Sequence, residues 1–406
     1  MNRPVYKPGA RHGLRVAVVT ETYPPEINGV ARTVGLMVDA LCERGHEVQL
    51  VRPRQREERT STLSRGLRER LVRGFPIPFY RHLQIGIAPP RALLTEWMGW
   101  RPDVVQVVTE GPLGWAAVST ARHLAIPLCS DFHTNFHSYS RHYGLGVLAS
   151  IVSRYLRALH NRTDCTLVPT VEMQAGLEGL GFERVRVVGR GVDSFLFSPA
   201  RRSERLRATW GCRSNETVAL YVGRLAPEKN LRVFVEAAVA MRAVDASLRV
   251  VLVGDGPQAA ELRARHPDFV FAGMRTGGNL AEHYASADIF LFPSVTETFG
   301  NVTLEAMASG LAVVAYDYAA ARQYLRQGNS ALLAPFDDRA AFVQAATRLA
   351  GDADLRLRLR AEARRAAEAA SWGRAFDDLE RVLRAVAGTR RSGVDAVSEE
   401  SVHVET

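Results

Sequence analysis

Lysine is almost missing from this chain of 406 residues: apart from Lys7 and Lys229, every one of its 52 Lys and Arg residues is arginine. In so arginine-rich a chain, Lys229 in VGRLAPEKN is an informative residue and poor surface filler. Cysteine is scarce too. Cys42, Cys129, Cys165 and Cys212 are scattered without CxxC spacing, which excludes a disulfide framework and reads as reduced core thiols in a cytoplasmic protein. No apolar run approaches the roughly 18–20 residues of a membrane span. The opening MNRPVYKPGARHG lacks the apolar centre of a secretory leader. GxGxxG is absent, which disfavours a dinucleotide oxidoreductase. HExxH and a DxD between strand and turn are absent as well, so no metal is expected.

Hydrophobic content of 47% with 23% charged residues fits an ordinary globular protein of about two domains. The net charge of +9 is unevenly placed: residues 1–200 hold 25 Lys and Arg against 17 Asp and Glu, the remainder 27 against 26. Much of the excess lies in RPRQREERTSTLSRGLRERLVRG, Arg52–Gly74. Such a run is attracted to an anionic surface, or is a solvated basic loop. No RNA- or DNA-binding signature accompanies it, so nucleic acid is not an expected partner and an anionic membrane is the better one.

The apolar pattern reads as strand then helix, repeated. LRVAVVT is a strand leading into a Pro-Pro loop, GVARTVGLMVDALCERG an amphipathic helix stopped at Gly45, and HEVQLVRP the next strand. DVVQVV, PLCSDFH, CTLVPT and RVRVVG follow. A second series comes later: TVALYVG, LRVVLVGDGP, DFVFAG, ADIFLFP, LAVVAYD and SALLAP. Near-continuous apolar strands alternating with helices predict parallel sheets covered on both faces. Between the series, GVDSFLFSPARRSERLRATWGCRS reads as a polar crossing. The expected fold class is α/β, with two doubly wound, Rossmann-like domains facing across a cleft. The expected boundaries are 1–198 and 199–370, then a helix over 371–388 returning to the N-terminal domain and a tail over 389–406. Ligands bind outside the carboxyl ends of such strands.

The richest stretch is FLFPSVTETFGNVTLEAMASGLAVVA, Phe290–Ala315, a strand, polar loop, helix and strand. It carries Glu297 in the loop and Glu305, eight residues on, in the helix. That helix begins around Phe299, Gly300 and Asn301, whose free amides suit anions or hydroxyl-rich ligands. A carboxylate ahead of the terminus accepts hydrogen bonds from vicinal hydroxyls, and one further in reaches a ribose. Arg224 and Lys229 follow the strand ALYVG; a planar fork and a point charge together suit a diphosphate, or they are two surface cations. Asn28 and Gly29 precede a helix in the first half, where a missing side chain admits a phosphate. Gly254 and Gly256 in LVGDGPQ stand at a strand end in the second half, and each glycine serves equally for a turn. His133 ends PLCSDFH, placed to face the cleft and hydrogen-bond a sugar hydroxyl or orient an acceptor; His137 and His142 are weaker candidates. Met274, in AGMRTGGN, is expected near a nucleotide base.

These segments resemble the retaining glycosyltransferases of the GT-B fold, in the large family that includes phosphatidylinositol mannosyltransferases, sucrose-phosphate synthases and sulfoquinovosyl diacylglycerol synthases. The resemblance spans Leu14 to Val386 and is most specific in ETFGNVTLE, then in YVGRLAPEKN. PPEINGVARTV and DFHTNFHSY look most like members that glycosylate diacylglycerol, or GDP-mannose-dependent mannosyltransferases. The resemblance implies that Glu297 binds the donor sugar, helped by the amides of Phe299, Gly300 and Asn301. It further implies Glu305 on the ribose, Arg224 and Lys229 on the diphosphate, Gly29 near the phosphates and His133 at the donor sugar. Many relatives have a second glycine where this chain has Asn28, and Asn where it has Arg190.

The expected reaction is transfer of a hexose from a GDP- or UDP-linked donor to an acceptor hydroxyl with retention. The nucleotide diphosphate sugar is a co-substrate, and no cofactor is expected. No carboxylate presents itself as a nucleophile, so a front-face route, in which the departing phosphate takes the acceptor proton, is favoured over double displacement. A lipid such as diacylglycerol is the expected acceptor. GLGVLASIVSRYLRALHNR, with Arg154 and Arg157, and RALLTEWMGW, with Trp97 and Trp100, either dock on a bilayer or pack on the core. The expected location is cytoplasmic, peripheral on the inner face of the plasma membrane. Two alternatives share the architecture: a sugar-nucleotide 2-epimerase, which would want additional acid/base carboxylates, and a non-catalytic nucleotide-sugar binding protein.

Overall fold

The strands that bury both faces set the architecture. In the computed structural model, which describes residues 13–26, 28–55, 66–77, 80–133 and 146–389, two sheets stand in succession. The first contains β1 (Arg15–Val19), β2 (Glu47–Pro53), β3 (Leu67–Ile77), β4 (Tyr80–Ile87), β5 (Val104–Val107), β6 (Leu128–Asp131), β7 (Cys165–Val168) and β8 (Val185–Val187), in the spatial order β4-β3-β2-β1-β5-β6-β7-β8. The second contains β9 (Val218–Val222), β10 (Arg249–Val253), β11 (Val270–Gly273), β12 (Ile289–Phe292), β13 (Ala312–Tyr316) and β14 (Leu332–Ala334), in the order β11-β10-β9-β12-β13-β14. All pairings are parallel except β3 with β4. Every residue of β5, β9, β12 and β13 is buried, as expected of strands covered by helices on both faces. The fold is the two-sheet α/β arrangement read from the sequence.

The structure decides or corrects three readings. The basic run Arg52–Gly74 is not a continuous loop: β2 ends at Pro53 and β3 starts at Leu67, with residues 56–65 outside the described part. Arg68, Arg70 and Arg73 lie exposed on β3, while Glu69 is buried against Arg52 at 3.0 Å. The segment after Gly191 is not simply a polar crossing either. Phe197 and Trp210 join the second core, and the fully buried Arg207 binds Asp288 at 3.2 Å and the Ser286 carbonyl at 2.8 Å. Finally, Trp97 is fully buried and Trp100 nearly so. Trp97 donates its indole N–H to Gln49 at 2.8 Å, so these rings pack on the core and offer nothing to a bilayer.

The last helix, Trp372–Thr389, lays Leu379, Leu383 and Val386 into the apolar cluster of the first sheet, and Arg44 grips it through Asp377 at 2.8 Å and Glu380 at 3.0 Å. The two passages of chain between the sheets run side by side, where Val192 bridges Ser371. Lys7, His137, His142 and the tail from residue 390 lie outside the described residues.

Candidate active site

The carboxyl ends of the two sheets face one another, and the loops there carry most of the residues singled out from sequence. After β12 the chain turns through a polar loop to Gly300, whose φ of 89° is a left-handed conformation natural to glycine. That turn opens the Asn301–Ala308 helix. Glu297 in the loop accepts from Lys229 Nζ at 2.5 Å and from Ser294 Oγ at 2.7 Å, while its carbonyl accepts from the Tyr318 hydroxyl at 2.5 Å. Lys229 closes a short 3₁₀ turn after β9, and Asn230 behind it adopts φ 55° before the Leu231–Val244 helix begins. The lysine is thus aimed by backbone geometry at the one carboxylate. Arg224, half-exposed, stands 3.4 Å from Glu228.

Glu305 is the buried member of the pair. Its Oε2 accepts from the Tyr284 hydroxyl at 3.1 Å, and its Oε1 is bound by Arg32, which reaches over from the Gly29–Glu43 helix of the first half. Burial pushes the Glu305 carboxyl above its ordinary range, against the lowering effects of Arg32 and of the Tyr284 hydrogen bond. Sequence reading passed over Arg32, Tyr284, Ser294 and Tyr318. An arginine one turn into a helix, among so many arginines, carries no distinguishing mark.

His133 joins the two halves: its carbonyl accepts from Thr298 Oγ1, next to Glu297, at 2.9 Å. Its ring is sandwiched. Arg190 Nη2 lies 3.4 Å from Nδ1, and Asp131 Oδ2 lies 3.6 Å from Nε2. A guanidinium only donates, so in that contact Nδ1 is the accepting side, while Nε2 faces Asp131. Arg190 is therefore turned inward, and burial lowers its pKa against the pull of Asp131. Below it, Glu110 is held under the ordinary carboxylate range: burial opposes this, but His160 and His133 outweigh it. Glu21, at the end of β1, moves the other way; burial pushes it up to about 7 although the amides of Leu113 and Gly86 bind it. A concavity lined by Asp131, Arg190, Met37, Trp372 and Phe376 opens beside this group, between the strand ends and the last helix.

The remaining candidates divide. Gly29 begins its helix directly across from Asn301, near enough that a Cβ there would stand 3.7 Å from Asn301 Nδ2. Asn301 Oδ1 is buried without a hydrogen-bond partner. Phe299 is buried, edge-on to Tyr324. Asn28 is different, because its side chain caps the helix by accepting from the Ala31 amide at 2.7 Å and donating to Thr22 at 2.8 Å. Its side chain is thus occupied by the fold as a helix cap. Gly254 and Gly256 also answer internal demands: a Cβ on either would fall 1.9 Å from the Gly223 carbonyl oxygen or 2.4 Å from that of Leu225. Met274 is half-exposed just beyond β11. Among the described residues no three His, Cys, Asp or Glu side chains are grouped to hold a metal ion.

Comparison with known proteins follows this geometry. The family described as "Glycosyl transferases group 1" matches residues 216–352, and "Glycosyltransferase Family 4" matches residues 27–194. The chain is 35% identical over 380 residues to a GDP-mannose-dependent alpha-mannosyltransferase of Mycolicibacterium smegmatis, covering 93% of this chain and 99% of that one. It is 25% identical over 321 residues to an alpha-monoglucosyldiacylglycerol synthase of Streptococcus pneumoniae, covering 75% of this chain and 71% of the other. Among solved structures, a sucrose-phosphate synthase of Thermosynechococcus elongatus superposes with a TM-score of 0.77 at 18% identity, covering 92% and 99% of the two chains. That likeness establishes the GT-B fold.

Proposed function

This chain belongs to the group 1 glycosyl transferases, a hexosyltransferase fed by a nucleotide sugar, and on that premise we propose that it moves mannose from GDP-mannose to a lipid hydroxyl with retention. The single observation carrying the site assignment is the Glu297–Lys229 contact at the mouth of the second sheet, tied to His133 through Thr298. Glu297 holds the donor hexose, Glu305 the ribose, and Lys229 with Arg224 the diphosphate. The amides at Gly300 and Asn301, and Gly29 opposite, flank the phosphates. Residues 1–198 then supply the acceptor side and 199–370 the donor side.

In the proposed step the bond from the anomeric carbon to the phosphate oxygen breaks while one to the acceptor oxygen forms on the same face. The acceptor proton passes to the departing diphosphate, whose gathered charge Lys229 and Arg224 offset. The printed names of the relatives support the donor: a GDP-mannose-dependent enzyme giving an alpha-mannoside retains the anomeric configuration of an alpha-linked donor. A diacylglycerol glycosyltransferase among them supports the lipid acceptor. So does the Gly146–His160 helix, which exposes Ile151, Tyr155, Arg154 and Arg157. No described helix is long and apolar enough to cross a membrane, so contact with lipid would be peripheral.

Release of nucleoside diphosphate from GDP-mannose, GDP-glucose, UDP-glucose and UDP-galactose is measured with and without anionic vesicles containing diacylglycerol, and the anomer is read by NMR. GDP-mannose should turn over fastest, give an alpha-product and label the lipid. An inverted product rejects the mechanism, and unlabelled lipid rejects the acceptor.

A further inference from the structure

Arg32 is a charged group on the donor subsite for which the donor reading has no use. It stands in the first turn of the Gly29–Glu43 helix, on the opposite side of the cleft from Glu305, 273 residues away in sequence. Its guanidinium binds Glu305 Oε1 and lies 5.4 Å from the centre of the Phe197 ring, so an aromatic face and a carboxylate together fix its position. Glu305 itself is 6% exposed while Arg32 remains 40% exposed. The arginine is therefore the lid on the carboxylate: what little of Glu305 faces the cleft faces this side chain. Its other oxygen is already taken by Tyr284.

A ribose hydroxyl grips a carboxylate by donating into a lone pair of one oxygen, and Tyr284 already holds Oε2, which leaves Oε1 to the ribose. To do so here it must arrive where the guanidinium sits. We propose that Arg32 is an affinity-setting residue of the donor subsite, competing with the ribose for Glu305, so that donor binding is an exchange of one ligand of that carboxylate for another. This rests on the assignment of Glu305 to the ribose. The exchange makes the contact self-limiting: the ribose replaces an existing charge-assisted bond, so the nucleotide gains less from Glu305 than an unguarded carboxylate would give it. Release of product is correspondingly eased, because Arg32 is at hand to retake the site.

The test compares GDP with 2′,3′-dideoxy-GDP by isothermal titration on the full chain, in wild type, Arg32→Ala and Arg32→Gln. Titrations are run at pH 8.5, to favour the ionised form of a carboxyl that burial pushes up and Arg32 no longer holds down. Loss of Arg32 should tighten GDP binding by about 3- to 20-fold, the range expected for releasing a half-exposed ion pair. Binding of the dideoxy nucleotide should change by less than about 2-fold, because it has no diol to benefit. Arg32→Gln guards against a folding defect in Arg32→Ala. Unchanged or weaker GDP binding in both variants, or equal gains for GDP and its dideoxy form, overturns the competition. Glu305→Gln addresses the underlying assignment separately: if it binds GDP and dideoxy-GDP as wild type does, Glu305 does not hold the ribose at all.

Discussion

Replacing Lys229 by Met and Glu297 by Gln, singly and together, separates what this pair does for the fold from what it does for the reaction. The two charges are 2.5 Å apart, with 18% and 14% of their side chains exposed. At an effective dielectric of about 20, two unit charges at that distance attract by about 7 kcal/mol before any cost is counted. Desolvating both ions consumes most of this, leaving a net coupling of ~1–3 kcal/mol. In urea melts each single substitution should therefore lower stability by about 1–3 kcal/mol, and the double by clearly less than their sum. Turnover should behave otherwise. If Lys229 offsets charge on the departing diphosphate, its loss costs about 10²- to 10³-fold in kcat, or ~3–4 kcal/mol of transition-state stabilisation. Glu297→Gln keeps an accepting oxygen but loses the charge-assisted grip on the sugar, so a loss of about 10- to 100-fold is expected. Acting on different parts of the donor, the two losses should multiply in the double variant. Steady-state release of nucleoside diphosphate reads this directly. A double variant that regains turnover along with stability would refute the assignment, for the pair would then be only a strut.

Two further outcomes follow from the coordinates. Glu21, pushed up to about 7 by burial from an ordinary 4.5, binds its proton more tightly folded than unfolded; stability should therefore fall by about 2–3 kcal/mol as pH rises from 4.5 through 7. Glu21→Gln should flatten that slope in urea melts taken at pH 5 and pH 8, and a wild type equally stable at both would dismiss it. Gly254→Ala places a methyl 1.9 Å from the Gly223 carbonyl oxygen at φ 135° and should cost about 3 kcal/mol or more. An alanine variant of native stability but poor nucleotide affinity would instead return Gly254 to the ligand.

How much of this was legible depended on whether a residue's meaning is local. The strands β9 to β14 were readable because each is a short apolar run bounded by turn residues, and β9, β12 and β13 are buried on both faces. The pair β3 and β4 was not, since Arg68, Arg70 and Arg73 gave β3 the look of a charged loop; the alternation of Arg68 and Arg70 about Glu69 was the available signal. Glu297, Lys229 and Glu305 could be picked out by type and surroundings, but their partners could not. Lys229 and Glu297 are 68 residues apart, and the cation on Glu305 comes from the other half of the chain. Trp97 and Trp100 show the reverse difficulty: an amphipathic stretch has the same pattern whether its apolar side meets lipid or a core that includes Leu113 and Ala117, and only packing decides. Asn28 is ambiguous in sequence because a helix cap and a ligand-binding loop call for the same small polar residues.

The distribution of charge bears on how such a cleft can admit a diphosphate. Each of the two donor-side carboxylates has a cation on it, Lys229 on Glu297 from the same half and Arg32 on Glu305 from the opposite one. Bare carboxylates would repel an incoming dianion, and bare cations would hold the product after transfer. Paired groups do neither at long range, because opposite charges a few ångströms apart present a dipole whose field falls away faster than that of a single charge. Attraction would then come at close quarters, as hydroxyls take over the carboxylates and the cations turn to the phosphate oxygens. On this reasoning, neutralising one member of a pair shifts nucleotide affinity with a sign set by which member is lost. Removing the carboxylate frees a cation for phosphate at the expense of the sugar contact; removing Arg32 frees a carboxylate for the ribose.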